Sequence, residues 1–152
     1  MPNTQAMATS FKAELLNAYH NFSATNPART INTADSFKAA LYLASATINS
    51  TTTVYTTTGE VTGTNYTAGG VAITSWNAPS SSGTTAFTTP TASITYTTVS
   101  LTTAFDCVLI YNNTQGNRAV SAHTFGSQTV TAGTFTLTMP TNNSTSALIR
   151  LA

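Results

Sequence analysis

Two apolar stretches separated by a long run of threonines constrain this chain more than any other feature of its sequence. In Phe37–Leu43, apolar residues occupy every second position, which is the alternation of a half-buried strand. The polar run Thr51–Thr64 follows, and then come the pair Gly69-Gly70 and a second apolar stretch, Val71–Trp76. The segment from Asp35 to Trp76 therefore predicts a core strand, a hydroxyl-rich loop, a glycine turn and another core strand.

Composition supports a β fold and indicates how the surface is built. Threonine accounts for 35 of the 152 residues, whereas charged residues make up 6%, against about 25% in an ordinary soluble domain. Threonine is β-branched and favours strands, and a net charge of +1 is far from the high net charge typical of disorder. Hydroxyl and amide groups can enter a polar interface without the desolvation of an ion. We therefore expect an ordered protein made for a fixed assembly; a low-charge secreted monomer is the alternative.

The rest of the chain predicts further short strands, with turns at spacings of about 8–12 residues. Asp106–Asn112 is the most apolar of them and is predicted to be central, with a turn at Asn112–Asn117 after it. The other predicted strands are Thr84–Thr88, Ala92–Tyr96, Val99–Ala104, Arg118–Phe125, a strand around residues 134–139 in which threonines alternate with apolar residues, and Ala147–Leu151. The fold class predicted for residues 35–152 is mainly β, an antiparallel β-sandwich or small barrel.

The N-terminal part predicts an arm and a short helix that precede this domain. Residues 1–9 are predicted to be a flexible arm, and residues 10–34 an amphipathic helix and a loop. Ser10 is a suitable N-cap, Glu14 is expected in the first turn, and the helix is expected to end near Asn21. Such a short helix must dock, either on the core of its own subunit or on a neighbouring subunit. The second alternative gives a candidate assembly interface made of Phe11, Leu15, Leu16, Tyr19 and Phe22.

Reactive side chains are few and widely spaced. Cys107 is expected to be a small buried hydrophobic residue, His20 a structural residue near the helix end, and His123 a surface or interface imidazole. The four carboxylates form no short-spaced acidic pair and no dense acidic loop of the kind that binds calcium. The glycines lack the Lys-Ser/Thr sequence of a phosphate-binding loop. We therefore predict no catalytic site, no metal site, no cofactor and no enzymatic activity.

Charge and hydropathy also bear on partners. The five basic residues form no cluster, so the sequence predicts no binding to nucleic acid. The longest apolar run, Cys107–Tyr111, is too short to cross a bilayer, so no membrane partner is predicted. The first residues show no basic segment followed by an apolar one, and no signal peptide is predicted.

The order of these motifs resembles a known group of proteins. The motifs are Phe11-Lys12-Ala13-Glu14-Leu15-Leu16, the strand Phe37–Leu43, Thr58-Gly59-Glu60-Val61-Thr62-Gly63, Tyr66-Thr67-Ala68-Gly69-Gly70, and the terminal Leu148-Ile149-Arg150-Leu151. Together they resemble small virion structural proteins encoded by tailed bacteriophages. The resemblance covers the chain from about residue 11 to the end, and its most specific part runs from Glu60-Val61 to Gly69-Gly70.

The resemblance implies a structural role in a virus particle. A protein of this size and β content is similar to head decoration, or cement, proteins, which form trimers or clusters over the capsid lattice. It implies the major capsid protein as partner, a homo-oligomer such as a trimer, and a location in the virion after synthesis in the bacterial cytoplasm. Neck, collar and tail-associated roles remain open. A different class of function is an adhesin module that binds host glycans through exposed aromatic side chains, for which Tyr66 and Trp76 are the candidates.

Overall fold

The computed structural model of the chain describes residues 3–16, 19–23 and 33–152. Strands are the dominant elements of the described residues and the helix is short, which confirms the prediction of a mainly β protein. The elements in chain order are β1 (Ala6–Met7), α1 (Thr9–Leu16), β2 (Phe37–Leu43), β3 (Val71–Ile73), β4 (Ser80–Ser82), β5 (Thr85–Thr88), β6 (Ile94–Asn112), β7 (Arg118–Leu137) and β8 (Ile149–Leu151).

The strands form two antiparallel sheets that do not close into a barrel. The larger sheet has the order β1-β7-β6-β2-β3, and the smaller one has the order β4-β5-β8. The central strand of the larger sheet is β6, which pairs with β7 on one side and with β2 on the other. The prediction that Asp106–Asn112 belongs to a central strand is therefore confirmed.

β6 and β7 are much longer than the sequence predicts. The predicted strands Ala92–Tyr96, Val99–Ala104 and Asp106–Asn112 belong to one 19-residue strand, and β7 likewise contains 20 residues. The prediction of separate strands was wrong because the pairing of β6 with β7 shifts register repeatedly along its length. Each shift resets the alternation of inward and outward side chains, so one irregular strand has the sequence pattern of several short ones.

The hairpin of β6 and β7 bends so that its distal half packs back on the core. The ring of Phe135 lies 5.0 Å from the ring of Phe105, and the rings of Phe125 and Phe135 are 5.4 Å apart although ten positions separate them in the chain. The hydroxyl of Tyr96 reaches across to the backbone of β2 and donates to the carbonyl oxygen of Ala39. Aromatic contacts and one buried hydrogen bond thus hold the bent hairpin closed.

The described part of the predicted arm is tied to the domain. Ala6 and Met7 pair with β7, and the side chain of Asn3 donates to the carbonyl oxygen of Leu43 and to Asp106. The same side chain accepts a hydrogen bond from the backbone of Ile48 at 2.8 Å. The prediction of a flexible arm is wrong for residues 3–9, because short polar residues there satisfy backbone groups of the domain.

The helix begins two residues earlier than an N-cap at Ser10 would give, so the prediction of Ser10 as N-cap was wrong, and the helix also ends sooner than predicted. It contains eight residues, Thr9–Leu16, and the described residues from Tyr19 to Ser23 are not helical. The backbone N–H of Tyr19 donates to the carbonyl oxygen of Glu14, five residues earlier, which closes the helix with a wide turn. Glu14 is therefore not in the first turn, and it is buried instead of exposed near the helix start.

The predicted glycine turn is present and positions a buried carboxylate. The backbone N–H of Gly69 donates to Glu60 at 2.7 Å, and Gly70 has φ of +70°. A Cβ atom on Gly70 would lie 1.8 Å from the carbonyl oxygen of Ala39, so only glycine allows this approach. The glycine pair thus brings the long loop against β2.

Candidate assembly surface

The outer edge of β7 is the longest unpaired strand edge in the described part of the chain. β1 covers this edge at Ser121 and Ala122, and the backbone of Ala8 adds one bond to Val120. Beyond that point, residues 124–137 pair with β6 alone among the described residues. An unpaired edge presents free N–H and C=O groups to any strand that can approach it.

The unpaired part of β7 carries no charged side chain of its own. Residues 119–149 contain no Asp, Glu, Lys or Arg, although charged residues and proline are the usual means by which proteins block edge pairing. Gly126–Thr129 is exposed, as are Thr131 and Ala132. An approaching strand would therefore meet no ionic group that belongs to residues 124–137 of β7.

A row of threonine hydroxyls lies next to this edge. Along the last part of β7 and just beyond it, exposed threonines alternate with half-buried apolar residues, which confirms the predicted alternation. Thr136 pairs with Thr95 on β6, so the hydroxyl-bearing face spans two strands. The exposed members of this face are Thr95, Thr97, Thr134, Thr136 and Thr138.

An exposed apolar patch lies at the opposite end of the hairpin, beside its turn. Tyr19 and Val54 are the exposed large hydrophobic residues of the described chain, at 40% and 47%. The guanidinium of Arg118 lies 4.4 Å above the centre of the Tyr19 ring, a cation–π geometry that orients the ring. Tyr19, Val54 and Arg118 line a shallow depression together with the turn residues 114–116. This patch retains one of the five predicted interface residues.

An apolar groove separates α1 from the smaller sheet. Its volume is about 360 Å³, and it is mainly lined by apolar side chains. Leu15 lines it from the helix, and Phe87 and Leu151 line it from β5 and β8. The groove also borders Ser23, after which the chain passes outside the described residues.

The predicted interface residues have different positions in the structure. Phe11 is fully buried and Phe22 is 8% exposed, and both belong to the hydrophobic core of the subunit itself. Leu15 is half-buried against the same core, and the side chain of Leu16 lies outside the described residues. Phe11 and Phe22 are thus not available as anchors on a neighbour, because this face of the helix covers its own core. An interface role stays a prediction for Leu15 and Tyr19.

Tyr66 and Trp76 are not the exposed aromatic contacts that the sequence predicts. The Tyr66 hydroxyl donates to Glu60 at 2.8 Å and accepts from the backbone N–H of Leu41 at 3.0 Å. The Trp76 ring packs edge-on against Phe22 and Phe37, at centroid distances of 4.9 and 5.4 Å. Both side chains are half-buried parts of the domain.

Glu60 holds together the loop and the glycine turn. This carboxylate is 6% exposed and accepts from the Tyr55 hydroxyl at 2.6 Å, from the Tyr66 hydroxyl and from Gly69. Burial raises the pKa of Tyr66, and the nearby Glu60 charge adds to this effect. Three donors satisfy the carboxylate, so its geometry is that of a structural crosslink.

A second buried cluster joins the helix to the hairpin. Glu14 accepts from the Arg118 guanidinium at 2.7 Å and contacts the ring of His20 at 2.7 Å. The other ring nitrogen of His20 lies 3.1 Å from the amide nitrogen of Asn112, which donates to Asp35 at 2.7 Å. Both ring nitrogens have partners and the ring is sealed from solvent, so His20 has the structural environment predicted for it.

The thiol and the second histidine lie apart from that cluster. Cys107 is fully buried, as predicted, and burial raises its pKa to about 12, so the thiol is un-ionised at neutral pH. His123 is half-buried on β7, 2.9 Å from the Ser121 hydroxyl, and burial lowers its pKa to about 4. Within the described ranges, no group of three or more His, Cys, Asp or Glu side chains is placed to hold a metal ion.

Comparisons with known proteins found no relative of this chain. No family model matches the chain, and neither a curated protein nor a solved structure resembles it significantly. Among the described helices, none has the length and apolarity to span a membrane.

Sequence reasoning missed the two features that dominate the candidate surface. The open edge of β7 was missed because the sequence pattern divides this strand in two. Val54 was overlooked because it lies within the threonine-rich run Thr51–Thr64, which predicts a polar loop. The absence of charge from residues 119–149 is the signal that could have revealed the edge.

Proposed function

We propose that the chain is a non-enzymatic structural protein of a tailed-bacteriophage particle, with the surface of the head as its site and capsid decoration as its role. The resemblance of its motifs to small virion proteins supports this function. We further infer that its two sheets pack as a β-sandwich. In this role the protein would bind the major capsid protein and copies of itself, in a trimer or similar ring.

The observation that carries the proposal is the long uncharged edge of β7. A protein that stays free in solution needs charges, prolines or covers at such an edge, because strand pairing between copies leads to aggregation. A subunit of a fixed assembly can leave the edge open, since a neighbouring subunit covers it. The hydroxyl row beside the edge suits the same purpose, because threonine side chains in adjacent strands hydrogen-bond to one another.

The proposed contacts differ from those expected on the basis of the helix alone. Tyr19 and Val54 would form an apolar anchor at the turn end of the hairpin, while the edge of β7 would supply backbone hydrogen bonds. Removing residues 1–22 is not a clean test of assembly, because Phe11, Phe22 and β1 belong to the fold of the domain.

The glycan-binding alternative loses its proposed contacts. Glycan sites place aromatic faces at an open surface, whereas Tyr66 is committed to Glu60 and Leu41. The same surface could serve a subunit of the neck, collar or tail as well as one of the head. Only the position of the protein on the particle distinguishes these roles.

Mass spectrometry of purified particles tests the proposal. Particles would be banded by density from a lysate of the bacterium that carries the gene, and heads would be separated from tails. We expect the chain in many copies in the head fraction. Its presence in tails alone would move the role to the neck, collar or tail. Its absence from particles, with the protein free in the lysate, would overturn the structural role.

A further inference from the structure

Five polar side chains from five parts of the chain meet in one cluster beside the hairpin turn, and three of them, Glu14, His20 and Asn112, are buried. Glu14 comes from α1, His20 from the segment after it, Asp35 from the approach to β2, Asn112 from the end of β6 and Arg118 from the start of β7. His20 lies at the centre, and its side chain has no exposed surface.

The amide of Asn112 is fixed in one orientation. Its oxygen accepts from the backbone N–H groups of Thr114 and Gln115, both at 3.0 Å. Its nitrogen donates to Asp35 at 2.7 Å. Turning the amide over would break all three bonds, so the nitrogen must face His20.

This orientation fixes the protonation state of the imidazole. The Asn112 nitrogen has only hydrogens to offer, so the Nδ1 atom of His20, 3.1 Å away, must accept and cannot carry a proton. The Nε2 atom lies 2.7 Å from a carboxylate oxygen of Glu14 and must therefore donate. The cluster requires a neutral ring with its hydrogen on Nε2.

We propose that His20 is an acid-sensitive latch that holds α1 and the segment 19–23 on the hairpin turn. When the ring takes a second proton, an N–H group on Nδ1 meets the N–H group of Asn112, and the hydrogen bond between them is lost. The Asn112 amide cannot turn to accept without abandoning the turn and Asp35. Acid therefore opens the latch, and this inference does not depend on the function proposed above.

The surrounding charges act in both directions on this equilibrium. Glu14 and Asp35 favour the protonated ring and Arg118 opposes it, but burial outweighs them and lowers the pKa of His20 below its ordinary 6.5. A base with a lowered pKa in the folded state binds fewer protons there than in the open state. Its contribution to stability is complete above pH 6.5 and is lost as the pH falls below that value.

Two hydrogen bonds from backbone N–H groups tie the segment that the latch would release to Asp35. The backbone N–H of Asn21 donates to Asp35 at 3.0 Å, and the backbone N–H of Asp35 donates to the carbonyl oxygen of Asn21 at 2.9 Å. The carboxylate of Asp35 thus bonds both this segment and Asn112. Loss of the His20 contact would therefore disturb both hydrogen bonds that the Asp35 carboxylate accepts, the one from Asn21 and the one from Asn112.

NMR of the histidine rings in the full chain tests the protonation state. The chain has two histidines, so His123→Gln leaves a single signal to follow for His20. We expect the tautomer with hydrogen on Nε2 at neutral pH, and a pKa below 6.5 or a ring that stays neutral until the domain opens. A tautomer with hydrogen on Nδ1, or a pKa of 6.5 or more, would overturn the latch.

Hydrogen exchange tests what the latch holds. Between about pH 7 and pH 5, after correction for intrinsic rates, we expect exchange of the Asn21 and Asp35 amides to rise by up to about 25-fold, as the linkage of one histidine predicts. The amide of Leu109, deep in β6, should not respond. His20→Gln can still donate to Glu14 but gains no proton, so it should abolish the rise, whereas His123→Gln should retain it. An equal rise in His20→Gln would show that another group is responsible and would reject the proposal.

Discussion

The hydroxyl of Tyr96 donates a 2.8 Å hydrogen bond to the backbone carbonyl oxygen of Ala39, 57 positions earlier in the chain. This bond is buried and connects the distal half of the hairpin to β2. Gly70 approaches the same carbonyl group from the loop side, where any side chain would collide with it. One peptide group of β2 thus fixes the position of both the bent hairpin and the glycine turn.

Removal of the Tyr96 hydroxyl should destabilise the whole domain. Tyr96→Phe keeps the ring but leaves a buried carbonyl oxygen without this donor, which costs about 1–3 kcal/mol. Tyr19→Phe is the matched control, because the Tyr19 ring is 40% exposed and its packing is retained. Urea denaturation followed by fluorescence would measure both. Equal midpoints for the two variants would contradict the role assigned to the Tyr96–Ala39 bond.

A side chain at position 70 should be far more costly than one at position 116. Gly70 and Gly116 have similar φ angles, +70° and +66°, so alanine brings about the same backbone strain, about 1–2 kcal/mol, at either position. A Cβ at position 116 meets no atom within 4 Å, whereas a Cβ at position 70 would lie 1.8 Å from a carbonyl oxygen. Gly70→Ala should therefore lose about 1–3 kcal/mol more than Gly116→Ala in thermal or urea unfolding. Similar losses would mean that strain alone governs the turn.

Local sequence signals predicted the parts of the fold that depend on local chemistry. The Gly-Gly turn follows from conformations that only glycine adopts readily, and the alternation after Gly133 follows from the period of a strand. The continuity of β6 could not be predicted, because Thr98 has φ of +52° inside the strand. A threonine in that conformation has no sequence signature, and Thr98 lies where the register between β6 and β7 shifts, between Tyr96 and Val99.

The candidate site was predicted less well than the fold, for a related reason. Helical spacing identifies the apolar face that contains Phe11, but it does not say whether that face is covered by its own domain or by a neighbour. Tyr19 belongs to the predicted face, yet the helix ends before it and the ring lies against Arg118. Burial is decided by long-range packing, which a single sequence does not contain.

The buried tyrosines should make the protein sensitive to alkali. Burial raises the pKa of Tyr111 to about 12, and it also raises the pKa values of Tyr42, Tyr66 and Tyr96. An acid with a raised pKa stabilises the fold below its ordinary value of about 10, and this stabilisation is lost as the pH rises from there towards 12. Absorbance of tyrosinate near 295 nm should therefore rise late and together with the loss of circular dichroism. Ionisation of these tyrosines near pH 10 without unfolding would contradict their burial.

A positive charge beside the open edge of β7 should weaken self-association without affecting the fold. Thr136 is exposed and pairs with Thr95 on its inner side, while no described strand lies on its outer side. In a trimer or similar ring the β7 edge of each copy faces a strand of the next copy, so Thr136→Lys places one lysine at every contact between copies. A cost of up to about 1 kcal/mol for each lysine should raise the dissociation constant of each contact by up to about fivefold.

The control for this change is Thr57→Lys, which puts the same charge on the exposed loop far from the hairpin edge in sequence. Sedimentation equilibrium would give the dissociation constants, and circular dichroism would verify that both variants are folded. Strand pairing at β7 requires that Thr136→Lys dissociates the oligomer and Thr57→Lys does not. If both variants weaken association equally, the cause is the added net charge and not strand pairing at β7. If Thr136→Lys leaves the oligomer unchanged, the contact lies elsewhere, and Tyr19 and Val54 are the next residues to change.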